Sequence, residues 1–282
     1  MSSTGMETGE RITRGQVFIK HQSWLLLAED TLDVARLLFR VVGPVNDANL
    51  DQLKLTTAFL FVRAFRSAHG CCKLFADGYE HESYIPLRTV FEHLVDLSYL
   101  ERNPSEADDF WNYAAIGHHR YVQTAQKYLR NDPLPSEYLE NVQEGYERVK
   151  GRYPSELRWS KKNLADRAAT VGLEEQYRFI YQMCSEYCHT GPMTYRRHFV
   201  EGETNVHVQL GPEAPEDPTA LALLVTTLIQ ACECFNRVFA LDQARLLTSL
   251  ALEFQKLTGT EGAGNDEAVP STDSPATQTQ RS

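Results

Sequence analysis

The stretch that decides the fold is YIPLRTVFEHLVDLSYLE, residues 84–101. With about 100° of rotation per residue, its apolar residues form one broad face, which is typical of a helix packed into a core. Arg88 and Glu92 lie within that face, four residues apart. Because taking two ions out of water is costly unless further hydrogen bonds satisfy them, we expect polar partners from elsewhere in the chain. The pair either positions a ligand or pins the register of a helical bundle.

A second segment, EEQYRFIYQMCSEYCHTGP (174–192), is the best source of those partners, because polar residues recur in it at intervals of four. A helix brings residues at this spacing to one face. His189 would lie in its last turn, where the helix dipole favours imidazolium, so it is either an acid or anion ligand or a C-capping residue. The catalytic candidates are Arg88, Glu92, Ser185 and His189, and Tyr177 and Tyr181 are candidate ligand-binding residues.

Basic residues gather in two further places. The segment ELRWSKKNLADR (156–167) surrounds Trp159 with four cations, and Arg196 and Arg197 follow the second segment closely. Cations interleaved with aromatic rings suit contacts with phosphate or single-stranded RNA, although a solvated helix start has the same composition. Trp159, Arg196 and Arg197 therefore join the candidate ligand-binding residues.

Metal and cofactor chemistry is not indicated by the sequence. Cys184, Cys188 and His189 lie close together, but Cys188 and His189 would point about 100° apart on a helix, and no second cluster completes a site. The six cysteines fall on segments patterned as helices, which favours reduced, packed thiols over a disulfide framework. We expect no metal and no cofactor.

The composition of the 282 residues is that of an ordinary globular protein, with 42% hydrophobic residues. A formal charge of −10 argues against a surface that grips nucleic acid or anionic lipid over its whole extent. The first residues, MSSTGMETGERITRG, lack a signal-peptide core, and ALALLV (220–225) is shorter than a membrane span. We expect a cytoplasmic protein with no membrane partner.

Helical periodicity dominates the chain, and strand alternation occurs only in RRHFV (196–200) and NVHVQL (205–210). The sequence therefore predicts an all-α fold, a single helical bundle with a small β-hairpin flap. We expect the bundle to span 17–257, between a disordered N-terminus (1–16) and a disordered C-terminal tail (258–282), because both ends lack apolar periodicity. The expected helices are roughly 17–43, 48–76, 82–102, 105–131, 135–152, 162–171, 174–190 and 217–257.

Two of these motifs together resemble a known family. RTVFEHLVDLSYL and WSKKNLADRAATVGLEEQYRFIYQMCSEYCHTGP look like the bacterial domain of unknown function 5677, in which an R-x-x-x-E helix precedes a W…Y-x-x-x-Y-x-x-x-S-x-x-x-H segment. The resemblance spans roughly residues 50–240. It implies a helical domain of unassigned activity, and it falls on Arg88, Glu92, Trp159, Tyr177, Tyr181, Ser185 and His189.

A looser similarity is to HEPN-type helical ribonucleases, whose R-x(4–6)-H motif is matched by Arg88 with His93. The sequence thus leaves two functions open. One is an intra-bundle polar site for ligand binding or protein interaction; the alternative is a metal-independent ribonuclease in a defence or toxin context. The partner would be a small ligand or RNA, and a homodimer is a candidate assembly.

Overall fold

The computed structural model describes residues 3–43, 51–128, 134–153, 158–189, 199–201, 206–208 and 211–259. Over these residues the fold is all-α, as predicted. In chain order the helices are α1 (Ser3–Val42), α2 (Gln52–Ala76), α3 (Glu80–Arg102), a 3₁₀ turn (Pro104–Glu106), α4 (Ala107–Asn112), α5 (Ala114–Tyr128), α6 (Ser136–Val149), α7 (Leu164–Thr170), α8 (Glu174–Gln176), a π-helical turn (Tyr177–Tyr181), α9 (Gln182–Cys188), α10 (Thr219–Phe239) and α11 (Ala244–Thr258).

The core lies where α3 meets α2 and α10, with α1 against α10 and α2. Phe61 of α2 stacks on Phe235 of α10 with ring centroids 4.2 Å apart, and Phe91 of α3 is fully buried. This is the buried apolar face that residues 84–101 predict. The helix that decides the fold is therefore central to the bundle, and its remaining faces are free to hold polar groups.

Helices α5 and α6 pack against each other beside this core rather than within it. Ile116 and Val142 are buried between them but do not belong to the main apolar cluster. The pair is tied to α4 by Tyr153, which donates to the carbonyl of Asp109. These helices do not contribute to the site described below.

Helix α1 begins at Ser3 and therefore includes residues 3–16, for which the sequence predicts disorder; that disorder stays a prediction. Arg14 pairs with Asp77 at 2.7 Å, and a Cβ at Gly78 would lie 2.7 Å from Thr13 Cγ2. These partners are more than sixty residues away, so local composition did not reveal them. The tail predicted from 258 overlaps the end of α11 at Thr258, and residues 260–282 lie outside the described residues.

The long helix predicted over 217–257 is divided into α10 and α11. Ala240 has a left-handed φ of 51° and ends α10, and the backbone N–H of Gln243 then donates to the side-chain oxygen of Asn236. The apolar stripe continues across this turn, which is why periodicity alone did not show the break.

Two short strands, Phe199–Glu201 and Val206–Val208, pair antiparallel, with Val200 opposite His207. The residues on either side of these strands lie outside the described part, and so do Arg196 and Arg197. A covering role for this segment therefore stays a prediction.

One described helix, α10, is long and apolar enough to cross a membrane by length and composition. Of its most apolar window, 61% is buried inside the bundle. Central core helices pass the same test, so this is weak evidence about location.

Candidate functional site

The first element of the site is the Arg88 guanidinium, which three groups hold in place. Its Nε donates to Glu92 Oε1 at 3.1 Å, and its Nη2 donates to the Tyr181 hydroxyl at 2.6 Å. Its Cζ also lies 4.5 Å from the centroid of the Tyr181 ring. Arg88 and Glu92 are one helical turn apart on α3, so the helix itself sets their spacing. The predicted association of Arg88, Glu92 and Tyr181 is present.

This ion pair is only partly buried. The side chain of Arg88 is 23% exposed and that of Glu92 is 36% exposed. Burial lowers the pKa of Arg88, but hydrogen bonds with Cys188 and Tyr181 and the charge of Glu92 outweigh it and raise that pKa. Arg88 is therefore a fixed cation that solvent or a ligand can still reach.

The second element is a pair of stacked tyrosines. Tyr177 and Tyr181 open and close the π-helical turn, and their rings stack with centroids 4.9 Å apart and planes inclined by 16°. Single π-turns inside α-helices occur frequently at functional sites. Burial, followed by the neighbouring Tyr181, raises the pKa of Tyr177, so its hydroxyl stays neutral at physiological pH. The two rings provide an aromatic platform beside Arg88.

Ser185 and His189 do not join this pair in the described structure. The Ser185 hydroxyl donates to the Tyr181 carbonyl of its own helix at 2.7 Å. His189 is exposed and ends α9 with extended backbone angles, and its N–H donates to the Ser185 carbonyl. The C-capping alternative thus describes the position of His189, and its catalytic role stays a prediction.

Trp159 is buried in a separate cluster, where its ring packs edge-on against Phe110 and Tyr99. The Arg167 guanidinium lies 5.1 Å from the Trp159 ring centroid. Trp159 is therefore a packing residue for a neighbouring ion pair, and no described contact links it to Arg88.

That neighbouring pair, Asp96 with Arg167, is the part of the site that sequence reasoning missed. Arg167 contacts Asp96 Oδ1 through Nε and Nη2, each at 2.9 Å, and its Nη1 donates to the Lys162 carbonyl at 2.8 Å. The Asp96 side chain is 13% exposed and that of Arg167 is 8% exposed. Burial raises the pKa of Asp96 to about 6, although Arg167 opposes the change.

Arg88, Glu92 and Asp96 thus form one stripe along α3 at intervals of four residues, which we call the polar stripe. Its outer end at Arg88 and Glu92 is open to solvent, whereas its inner end at Asp96 is closed by Arg167. Spacing alone would have shown the stripe, because Asp96 follows Glu92 by one turn. The partner Arg167, 71 residues away in the sequence, leaves no such signal.

The residues of the ribonuclease-like motif do not converge. His93 is half-buried near Arg63, and the partial burial of its ring, followed by the Arg63 charge, lowers its pKa to about 4. Its Nε2 has no hydrogen-bond partner. Arg88 and His93 therefore have different neighbours within the described chain.

The cysteines and metal-binding groups offer little further chemistry. All six cysteines are free, and burial raises the pKa of the Cys184 thiol to about 12. Among the residues that the structure describes, no group of three or more His, Cys, Asp or Glu is arranged to hold a metal ion.

Part of the chain matches a known protein family. Residues 55–206, more than half of the 282, match the family described as "Family of unknown function (DUF5677)". No curated protein and no solved structure matches the chain. The matched range includes α3 and the segment α7–α9, and so it contains the polar stripe and its partners.

Proposed function

The chain belongs to the DUF5677 family, which has no assigned activity. From the geometry of the site, we propose that the open end of the polar stripe binds a nucleobase-like ligand. By this we mean a flat ring with a carbonyl oxygen and an N–H side by side on one edge, as in guanine or uracil. The ligand is either a small molecule or a base of single-stranded RNA.

The observation that carries this proposal is the fixed Arg88–Glu92 pair beside the stacked tyrosines. The pair is neutral as a whole, so it does not favour a bare anion. It presents a donor and an acceptor next to each other. A guanidinium has five N–H groups, of which Glu92, Tyr181 and Cys188 take three, and Glu92 Oε2 has no described bond. A lactam edge is complementary to that arrangement.

The tyrosine platform supplies the second contact. Every base has a flat aromatic face, and stacking on an aromatic side chain is worth about 1–3 kcal/mol per base. Tyr177 is half-buried and stacks on Tyr181, whose position is fixed by Arg88. In the proposed complex, the base stacks on this platform and its edge contacts Arg88 and Glu92.

Isothermal titration calorimetry with guanosine and 1-methylguanosine tests the proposal. The methylated compound keeps the ring but lacks the N–H that Glu92 would accept, so we expect binding at least tenfold weaker, about 1.4 kcal/mol. Arg88→Lys should weaken guanosine binding similarly, because lysine lacks the planar fork. Equal binding of the two compounds would contradict the proposal.

The chain offers a matched control for this variant. Arg178 and Glu174 form another ion pair at a spacing of four residues on a helix, at 2.7 Å, but both are exposed. Arg178→Lys makes the same chemical change without touching the stripe. We expect it to bind guanosine like the unmodified protein.

The other predicted ligand-binding residues enter this proposal as phosphate contacts. Arg196 and Arg197 follow the site segment in sequence, and the hairpin beside them is proposed as a flap over the ligand. Guanosine monophosphate should then bind more tightly than guanosine, and alanine at both arginines should remove that difference. Equal affinity for guanosine monophosphate and guanosine would contradict the phosphate contact but not the proposed base contact.

The ribonuclease alternative has less support. Protonated histidine at neutral pH is the usual general acid in metal-free catalysis, and burial lowers the pKa of His93 to about 4. His189, the other candidate, is exposed and has no described contact with Arg88. Incubation with a single-stranded RNA tests this alternative: cleavage that is lost in His189→Ala or His93→Ala would support it, and intact RNA would reject it.

A cytoplasmic location and a homodimer are also proposals. The exposed side chains of Ile12, Ile19 and Leu26 lie seven residues apart on α1, a spacing that is typical of helix pairing. Light scattering after size-exclusion chromatography tests the dimer, and Ile19→Lys should give a monomer if α1 forms the contact.

A further inference from the structure

A separate cleft of about 570 Å³ lies on another face of α3. Helix α3 contributes Ser98 and Glu101 to it, the connection after α7 contributes Val171, and α10 contributes Gln230 and Glu233. On a helix, Ser98 and Glu101 are rotated by more than 90° from the Arg88–Glu92 face. The cleft is therefore independent of the site proposed above.

One wall of the cleft is a satisfied ion pair. Arg237 donates from Nε to Glu101 Oε1 at 2.6 Å and from Nη2 to Glu101 Oε2 at 2.9 Å. Although burial acts in the opposite direction, the hydrogen bonds from Arg237 and Cys234 lower the pKa of Glu101, which keeps the carboxylate ionised. This pair shapes the cleft and needs no further partner.

The inner part of the cleft has acceptors that lack donors. Gln230 Oε1 is inaccessible to solvent and has no hydrogen-bond partner, which is uncommon and destabilising for a buried polar atom. Glu233 follows it by three residues on the same face of α10, and the described residues include no ion pair for it within 4.0 Å. A carboxylate and an amide oxygen side by side are the acceptors that an ammonium group requires.

The outer part of the cleft is cationic. Arg102 is exposed and uses Nη1 to donate to the Thr170 carbonyl at 2.9 Å, which leaves other N–H groups of its fork for an anion. Leu94, Val171 and Leu173 also line the cleft, and a small aliphatic group could be buried against them.

We propose that this cleft binds a free α-amino acid with an aliphatic side chain. The ammonium group would contact Glu233 and, once the Gln230 amide turns towards the cleft, Gln230 Oε1. The carboxylate would contact Arg102, and the side chain would pack on Leu94 and Val171. The zwitterion matches the cleft because both contain one group of each sign.

The test is isothermal titration calorimetry of the full chain with three related compounds. L-Leucine has all three features, 4-methylpentanoate lacks the ammonium group, and leucine amide lacks the carboxylate. We expect saturable binding of leucine and at least tenfold weaker binding of each of the other two. This comparison uses the unmodified protein, so it does not depend on any variant folding.

Two variants locate the binding. Glu233→Gln should weaken leucine binding by at least tenfold, whereas Glu253→Gln, a control on an exposed face of α11, should leave it unchanged. Gln230→Met should abolish binding and raise the melting temperature by roughly 2 °C, because it removes an unsatisfied buried oxygen. Unchanged leucine binding in Gln230→Met would show that Gln230 does not contact the ligand.

Several results would overturn the proposal. No saturable heat up to about 10 mM leucine would mean that binding is weaker than millimolar affinity and that the cleft is not an amino-acid site. Equal binding of leucine and leucine amide would contradict the role of Arg102. Unchanged binding in Glu233→Gln would show that leucine binds elsewhere on the protein.

Discussion

Replacing Asp96 by asparagine should remove a pH-dependent part of the protein's stability. Asp96 lies on α3 and contacts Arg167 of α7. Burial raises the pKa of Asp96 from the ordinary 3.8 to about 6. Because the folded-state pKa is the higher one, the folded protein binds the proton more tightly. Asp96 therefore contributes most to stability below about pH 4, and that contribution is lost as the pH rises through about 6.

The difference between the two pKa values corresponds to a pH-dependent contribution of about 3 kcal/mol to the free energy of unfolding. Urea unfolding of the unmodified protein and of Asp96→Asn, measured at intervals from about pH 4 to pH 7, checks this value. The stability of the variant relative to the unmodified protein should rise by about 2.4 kcal/mol over this range, slightly less than the full value because Asp96 of the unfolded chain is already partly ionised at pH 4. Asp30→Asn, on an exposed part of α1, is the control for removal of a carboxylate.

Burial dominates over the ion pair because the Arg167 guanidinium is shared. It donates to the Lys162 carbonyl and lies over the Trp159 ring as well as contacting Asp96. If Arg167 instead controlled the pKa, the folded value would fall below 3.8 and the stability of Asp96→Asn relative to the unmodified protein would fall with pH. A fall, or a flat difference, would refute the reasoning.

Three further predictions concern single groups. Arg88→Met and Glu92→Gln should each lower the free energy of unfolding, measured in urea, by about 1–2 kcal/mol, which is less than the loss of about 3–5 kcal/mol for a fully buried pair. The double variant should lose less than the sum of the two single losses. Additive losses would mean that the two side chains do not interact. Tyr181→Phe should cost about 1 kcal/mol through loss of the hydroxyl that Arg88 contacts, and a neutral result would show that water replaces it. Gly78→Ala should be more destabilising than Gly172→Ala by thermal unfolding, because both have positive φ but only Gly78 has close neighbours; equal losses would show that these neighbours move aside.

The association of Arg88, Glu92 and Tyr181 could be predicted because each helix fixes the spacing of its own residues. No described contact joins Ser185 or His189 to Arg88, so their place in the site stays a prediction. His189 ends α9 with extended backbone angles, so helical spacing does not fix the direction of its side chain. The Ser185 hydroxyl also found a nearer acceptor in its own helix.

The parts that could not be predicted depend on contacts between distant residues. Arg167 reaches Asp96 across 71 positions, and the buried His21 donates from Nε2 to the Pro215 carbonyl across 194. The latter coincides with the kink of α1 at His21. The polar N-terminal sequence taken by itself predicts disorder. Its contact partners, Asp77 at the end of α2 and Pro215 before α10, are far away in the sequence and could not be foreseen.

The polar stripe has a structural alternative to ligand binding, in which its ion pairs only fix how α3 packs on α7 and α9. The two roles predict different outcomes for Tyr181→Phe. Both roles allow a small loss of stability, but only a ligand site requires Arg88 to keep one orientation. Ligand binding alone therefore predicts weaker guanosine binding in a Tyr181→Phe protein that remains folded. The closed end of the stripe provides the comparison: Asp96→Asn also changes a contact between α3 and α7, yet Asp96 is separated from solvent by Arg167. A protein in which both variants lose stability but neither changes ligand affinity would have a stripe that serves packing alone.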